Sequence, residues 1–208
     1  MIQIYDDIFD KMFLLEMTTW LLTECTYGTN NVANRTSRPY GLEGSHRLMG
    51  CSIYSNYEGS TEKYWEYMHK EHCSWSEQEP RERLNAFGIM YKEIQNHSRN
   101  KCLLQAIDIN LQFKGMNGTL HLDGEKNQTA FIIMLAYHDI EKDMGGEFFH
   151  ELSGKKIPFK QGRVIEMTAS DSHRADAFNV PHIPRFSIKF TGRNDGKSQI
   201  YDGKNISF

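Results

Sequence analysis

From Asp7 to about Glu24 the apolar residues Ile8, Met12, Leu14, Leu15, Met17, Trp20, Leu21 and Leu22 recur at helical spacing. This predicts an amphipathic helix lying on a larger body. A polar, Gly-containing stretch from Gly28 to Ser60 follows, with aromatic and Arg residues but no period. Connections longer than about 12–15 residues without secondary structure are usually functional. The part from Asn30 to Ser60, with Arg35, Arg38, Tyr40, Tyr54 and Tyr57, is therefore a candidate lid or peptide-binding loop. Helical patterning returns at Thr61–Cys73 and at Glu79–Asn96, where Pro80 suits a first turn. Both are expected to layer with the first helix.

Beyond Asn100 the period shortens. Runs at Leu103–Phe113, Thr119–Asp123, Thr129–Tyr137, Glu147–Glu151, Arg163–Thr168 and Ile183–Gly192 read as strands. Turn chemistry separates them at Gly115, Asn117-Gly118, Asp123-Gly124, Gly145-Gly146 and Gln161-Gly162. Helices followed by consecutive strands predict an α+β chain whose second half is a β sandwich or barrel. The 208 residues fit one domain. Within it, residues 1–100 are mainly helical support and candidate lid, 101–193 the strand core and 194–208 a C-terminal tail.

Charge narrows the partners. A net charge of −3 and a pI near 6.3 provide no positive field for a polyanion, so nucleic acid is not favoured. Cys25, Cys51, Cys73 and Cys102 contain no Cys-x-x-Cys pair and read as reduced thiols in a reducing compartment. The N-terminus is acidic, and the longest apolar run, Ala130 to Tyr137, is too short for a membrane span. The expectation is a cytoplasmic protein without a membrane partner; its oligomeric state is left open.

The segment Thr119-Leu120-His121-Leu122-Asp123 carries candidate chemistry. In a strand, residues i and i+2 leave the same face, so His121 and Asp123 can address one centre. A third ligand is available from His138, His150, His173 or His182. Two His and one carboxylate on one face of an octahedron leave three positions open, as in non-haem Fe(II) oxygenases. In the last strand Arg185, Ser187, Lys189, Thr191 and Arg193 alternate with Phe186, Ile188 and Phe190. A guanidinium facing a barrel interior needs an anion, and its planar fork meets a carboxylate bidentately. The alternative is an edge strand with a solvated polar face.

The order His121-x-Asp123, Gly145-Gly146-Glu147, His173, Arg185-x-Ser187 resembles the Fe(II)/2-oxoglutarate-dependent dioxygenases, and within them the prolyl 4-hydroxylase-like branch. The resemblance covers residues 103–193 and, more loosely, the N-terminal helices. It implies a double-stranded β-helix, or jelly roll, with N-terminal helices packed on one sheet. It also implies that His121, Asp123 and His173 bind Fe(II), that Arg185 pairs with the distal carboxylate of 2-oxoglutarate and that Ser187 bonds beside it. O2 is the co-reactant, ascorbate a candidate reductant, and a prolyl residue of a peptide or protein the expected substrate. One departure concerns the cosubstrate: Met134 stands where prolyl hydroxylases usually have a Tyr, and Met cannot donate that bond. Thr119, Asn110 and Gln112 are the candidate replacements. His150 reads as a surface or supporting residue rather than a ligand. The rival readings are an AlkB-type nucleobase or other small-molecule dioxygenase and a non-catalytic jelly-roll binding module. The AlkB signature has Asn and Arg where Ser187 and Thr191 stand here.

Overall fold

The computed structural model describes residues 2–31, 48–55, 81–138, 140, 141 and 143–194. The helix expected at Thr61–Cys73, most of the candidate lid and the tail beyond residue 194 lie outside them. In chain order the elements are β1 (Gln3–Tyr5), α1 (Lys11–Thr23), β2 (Gly28–Asn31), β3 (Leu48–Ser55) and α2 (Arg81–His97). Then come β4 (Leu103–Gln112), β5 (Gln128–Ala136), β6 (Phe148–His150), β7 (Lys155–Ile157), β8 (Val164–Thr168), β9 (His173–Ala175) and β10 (Arg185–Arg193).

Helix α1 starts later than its apolar pattern does, because Asp10 caps it. The Asp10 carboxylate accepts from the amides of Met12 at 2.8 Å and Phe13 at 3.2 Å, satisfying two of the amides that a helix start leaves without partners.

The strands form a seven-stranded antiparallel sheet, ordered β1-β8-β5-β10-β4-β3-β2, and a three-stranded sheet, β7-β6-β9. Strand β10 is flanked by β5 and β4, with Ser187 opposite Met134 on one side and Asn110 on the other. Period-2 alternation then divides the core. Ile107, Ile109, Leu111, Ile133, Phe186, Ile188 and Phe190 join one apolar cluster with Leu14, Met17 and Leu21 of α1 and Phe87, Met90 and Ile94 of α2. Ala130, Ile132 and Met134 of β5 join a second cluster with Phe148 and Ile157 of the small sheet. Burying both faces explains why β5 is buried at every position.

The expectation of a stretch without secondary structure from Gly28 to Ser60 is corrected at its described residues. The stretch contains β2 and β3, and β3 pairs with β4. Its period is hidden because Gly50 interrupts the apolar side chains and the register shifts between Ser52 and Tyr54. Strands β1, β7 and β9 have three residues each, too few to show alternation. Thr119–Asp123 is not a full strand; His121 makes an isolated bridge to His173. Among the described residues no helix is long and apolar enough to cross a membrane.

Candidate metal centre

That isolated bridge sets the site. The His121 amide donates to the His173 carbonyl at 3.0 Å and the His173 amide to the His121 carbonyl at 3.1 Å. Two residues on, the Asp123 amide donates to the Ala169 carbonyl at 2.9 Å. The imidazoles of His121 and His173 lie 4.5 Å apart between ring centroids. Each ring is oriented from behind. His121 Nδ1 donates to the Thr119 carbonyl at 2.7 Å, and His173 Nδ1 to the Asp171 carbonyl at 2.9 Å. A carbonyl only accepts, so each Nδ1 carries a proton and each Nε2 faces forward into the site.

The two Nε2 atoms meet Asp123. His173 Nε2 is 3.2 Å from Asp123 Oδ2, and His121 Nε2 is 3.6 Å from Oδ1. One ligand atom from each residue lies within 4.8 Å of the others. Phe148 stacks on His173 at 5.2 Å and fixes its plane. The side chains of His173 and Asp123 are buried whereas that of His121 is 18% exposed, so the triad opens to solvent on the His121 side. Asp123 Oδ2 is buried yet accepts no hydrogen bond in proper geometry. A buried carboxylate oxygen without a donor is costly unless a cation completes it.

Lys189 supplies a cation at the other oxygen, its Nζ donating to Asp123 Oδ1 at 3.0 Å and lying 3.5 Å from Asp108 Oδ2. Burial alone would raise the Asp123 carboxyl. The charges of Lys189, His173 and His121 outweigh that and hold it well below the usual carboxylate range. The sequence reading gave Lys189 no role, although its place on the same face as Arg185 and Ser187 was visible from period 2 alone.

The pocket beside the triad is lined by Asn110 and Gln112 of β4, Ile132, Phe148, Ala175, and Ser187 and Lys189 of β10. Arg185 stands behind this lining, fully buried. Its Nε donates to the Gly146 carbonyl at 3.2 Å and its Nη1 to Gln112 Oε1 at 2.9 Å, while Nη2 has no acceptor. Burial pushes the guanidinium down to about 10, which leaves it charged at neutral pH. Met134 is buried between the sheets. Of the three candidate replacements for the missing Tyr, Gln112 is the one that touches Arg185. Gln112 is itself held by donating to the carbonyls of Met116 at 2.8 Å and Ala175 at 3.0 Å. Asn110 lines the pocket, and Thr119 does not; the Thr119 carbonyl instead holds His121.

The other candidate ligands of the strand half separate cleanly. His138 and His182 are exposed. His150 is buried and bonds Asp171 Oδ2 through Nε2 at 3.1 Å and Ser153 Oγ through Nδ1 at 2.8 Å. It therefore supports the loop whose carbonyl orients His173 and is not itself part of the triad. Only the three-dimensional pairing of His150 with His173 reveals this.

No family model matches the chain, and no curated protein matches it. Solved structures do. A 2OG-Fe(II) oxygenase family oxidoreductase from Burkholderia pseudomallei superposes with a TM-score of 0.56 at 16% identity, over 93% of this chain and 87% of that one. The fold is that of the 2OG-Fe(II) oxygenases. A viral collagen prolyl hydroxylase from Paramecium bursaria Chlorella virus-1, solved with 2OG, shares this fold with a TM-score of 0.52 and 12% identity over 92% of this chain and 95% of its own. A Trichoplax adhaerens prolyl hydroxylase, in complex with a peptide fragment of the hypoxia inducible factor oxygen degradation domain, gives 0.53 and 10% over 94% and 84%. In the 2OG-Fe(II) oxygenase fold the two sheets are the walls of a jelly roll, and here the triad and the pocket lie between them.

Proposed function

We propose that this protein is an Fe(II)- and 2-oxoglutarate-dependent dioxygenase that hydroxylates a prolyl residue of a peptide or protein. The observation that carries this reading is the convergence of His121, Asp123 and His173, with Asp123 Oδ2 buried and lacking a donor. Two imidazole nitrogens and one carboxylate oxygen suit Fe(II) and leave room for a chelating cosubstrate and O2. When bound, the iron with 2-oxoglutarate and O2 supplies the oxidising chemistry that yields succinate, CO2 and a hydroxylated C–H bond.

The chain's own residues bind, orient and shield. Lys189 engages Asp123 Oδ1 and so leaves Oδ2 for the metal. Arg185 Nη2 is a buried donor waiting for an acceptor, which the distal carboxylate of the cosubstrate provides. Gln112 fixes the guanidinium by accepting from Nη1, and because its amide hydrogens go to Met116 and Ala175 it positions Arg185 and does not replace the donor of the absent Tyr. The Ser187 hydroxyl lies on the pocket wall between Arg185 and Lys189, and Ile132 and Phe148 keep water from the inner end. Two fold neighbours are named as prolyl hydroxylases, one of them solved with a peptide, which supports a peptide or protein substrate.

Anaerobic titration of the Fe(II)-loaded protein with 2-oxoglutarate tests the assignment. The weak visible charge-transfer band of the chelate is expected in the wild type and not in His173→Ala. A wild type without the band would reject the reading. A panel of proline-containing peptides tests the substrate; failure of every peptide to gain one oxygen atom on proline would remove the prolyl specificity while leaving the metal centre standing.

A further inference from the structure

Two cysteines far apart in sequence meet on the helix side of the large sheet. Cys25 follows the end of α1, where its amide donates to the Trp20 carbonyl at 3.2 Å, and Cys51 is buried in β3. Their sulfur atoms are 3.2 Å apart. A disulfide has S–S of about 2.05 Å, so closure requires a shift of about 1 Å shared between two side chains. Cys25 is half-buried, whereas Cys51 is buried. Tyr27 stands beside both cysteines. Its hydroxyl donates to the Leu21 carbonyl at 2.7 Å, and burial together with both neighbouring cysteines pushes that hydroxyl far above its ordinary value.

We propose that Cys25 and Cys51 are a reversible dithiol–disulfide modification site that clamps the end of α1 to β3. Small-molecule disulfides of the glutathione class are the oxidant. The Cys25 thiolate attacks the small disulfide and releases one thiol. The Cys51 thiolate then attacks the Cys25 sulfur and releases the second. Two protein thiols are oxidised, one small disulfide is reduced to two thiols, and the protons lost by the protein are carried by those thiols. The half-buried residue makes the first attack and the buried one resolves it, which matches their burial.

The clamp lies on the reverse side of a wall of the pocket. In β3 Cys51 pairs with Ile109, a residue of the helix-side cluster, while Gly50 pairs with Asn110, which lines the pocket. Leu48, on the same strand face as Gly50, lines the pocket as well. β3 and the edge strand β2 follow Cys25 in the chain, so the bond would tie this edge of the sheet to the helix layer. The inference stands on the two sulfurs and does not depend on the assignment of the metal centre.

The test uses the full chain, incubated with oxidised glutathione and then alkylated. The expected product has lost two hydrogens, retains two alkylatable cysteines of the four, and gives a Cys25–Cys51 cross-linked peptide that dithiothreitol removes. In Cys25→Ser, a change at the half-buried partner, all three remaining cysteines should be alkylated. Hydrogen exchange across β2 and β3 should slow by roughly tenfold or more on oxidation of the wild type, and not in Cys25→Ser. The proposal is overturned if all four cysteines stay alkylatable, if Cys25 holds a glutathione adduct that Cys51 never resolves, if another pair cross-links, or if the cross-link leaves exchange in β2 and β3 unchanged.

Discussion

His121 and His173 exchange both of their backbone hydrogen bonds, at 3.0 and 3.1 Å, so one short bridge fixes two imidazoles on the same face. The bridge uses main-chain atoms only. Truncating either side chain therefore removes a ligand without removing the contact that joins the two segments. His121→Ala and His173→Ala are each expected to fold and to bind Mn(II) more weakly, by more than the roughly 10–100-fold typical of losing an outer hydrogen-bond partner. Anaerobic calorimetric titration reads the affinity and circular dichroism the fold. Unchanged Mn(II) affinity in either variant would dismantle the triad.

Arg185 separates cosubstrate binding from metal binding. Its guanidinium touches Gln112 and Gly146, and none of the triad. Losing a buried charge that pairs with a carboxylate costs about 2–5 kcal/mol, or roughly 30- to several-thousand-fold in affinity. Arg185→Met is expected to weaken 2-oxoglutarate by that order and to leave Mn(II) affinity nearly as it was. Equilibrium dialysis of each ligand checks the split, and equal loss of both would relocate the cosubstrate.

Gly146 has φ +79, and a Cβ there would meet Phe178 Cε1 at 2.3 Å. Its carbonyl also receives Arg185 Nε. An alanine faces both backbone strain, about 1–3 kcal/mol, and overpacking against a buried ring, about 1–3 kcal/mol. Gly146→Ala should lower the urea midpoint by an amount corresponding to about 2–6 kcal/mol. At the exposed Gly154 an added methyl would touch nothing, so Gly154→Ala should lose only the strain portion in the same assay.

Asp171 acts on the triad indirectly. Its carbonyl orients His173 and its carboxylate is bonded by buried His150. Asp171→Ala keeps the carbonyl but loosens the loop that presents it, and Mn(II) affinity is expected to fall by about tenfold. Ser153→Ala, at the exposed end of the same chain of contacts, should change it far less. Identical affinities for wild type and Asp171→Ala would show that the loop is held by other means.

A pH effect comes from the segment after β1. Arg163 donates to both oxygens of Asp6, from Nε and Nη2 at 2.8 Å each, and this bonding lowers the Asp6 carboxyl against the opposing effect of burial. A lowered carboxyl contributes its stability fully above its ordinary value of 3.8 and loses it as pH falls through the native value. The pair is partly exposed, so Asp6→Asn should cost only about 0.2–1 kcal/mol at neutral pH. The difference between variant and wild type should shrink in melts below about pH 4. A gap that stays constant down to low pH would point to packing in place of charge.

What the sequence revealed depended on run length. The nine residues of β10 displayed Arg185 and Ser187 on one face and Phe186 and Ile188 on the other, and the structure puts the first pair toward the pocket and the second among the helices. His121 and Asp123 were readable as a pair because a short extended segment suffices for i and i+2. Gln112 and His150 were not assigned these partners, because Arg185 and Asp171 are distant in sequence and meet them only through strand register and loop closure. The contact of Cys25 with Cys51 has the same origin, since α1 must first dock on the face of β3 that carries Cys51.

Strands β4 and β5 are neighbours in sequence, yet they do not pair; β10 lies between them and bonds to both. During synthesis the two earlier strands must therefore wait for a segment that begins at Arg185, well after β5 has ended at Ala136. Until then the chain already carries His121, Asp123 and His173, but the middle of its largest sheet is missing. Such non-local pairing folds slowly. Each truncation that stops short of Arg185 should consequently abolish the fold together with the pocket, and the nascent chain becomes competent to hold a metal only once β10 has emerged.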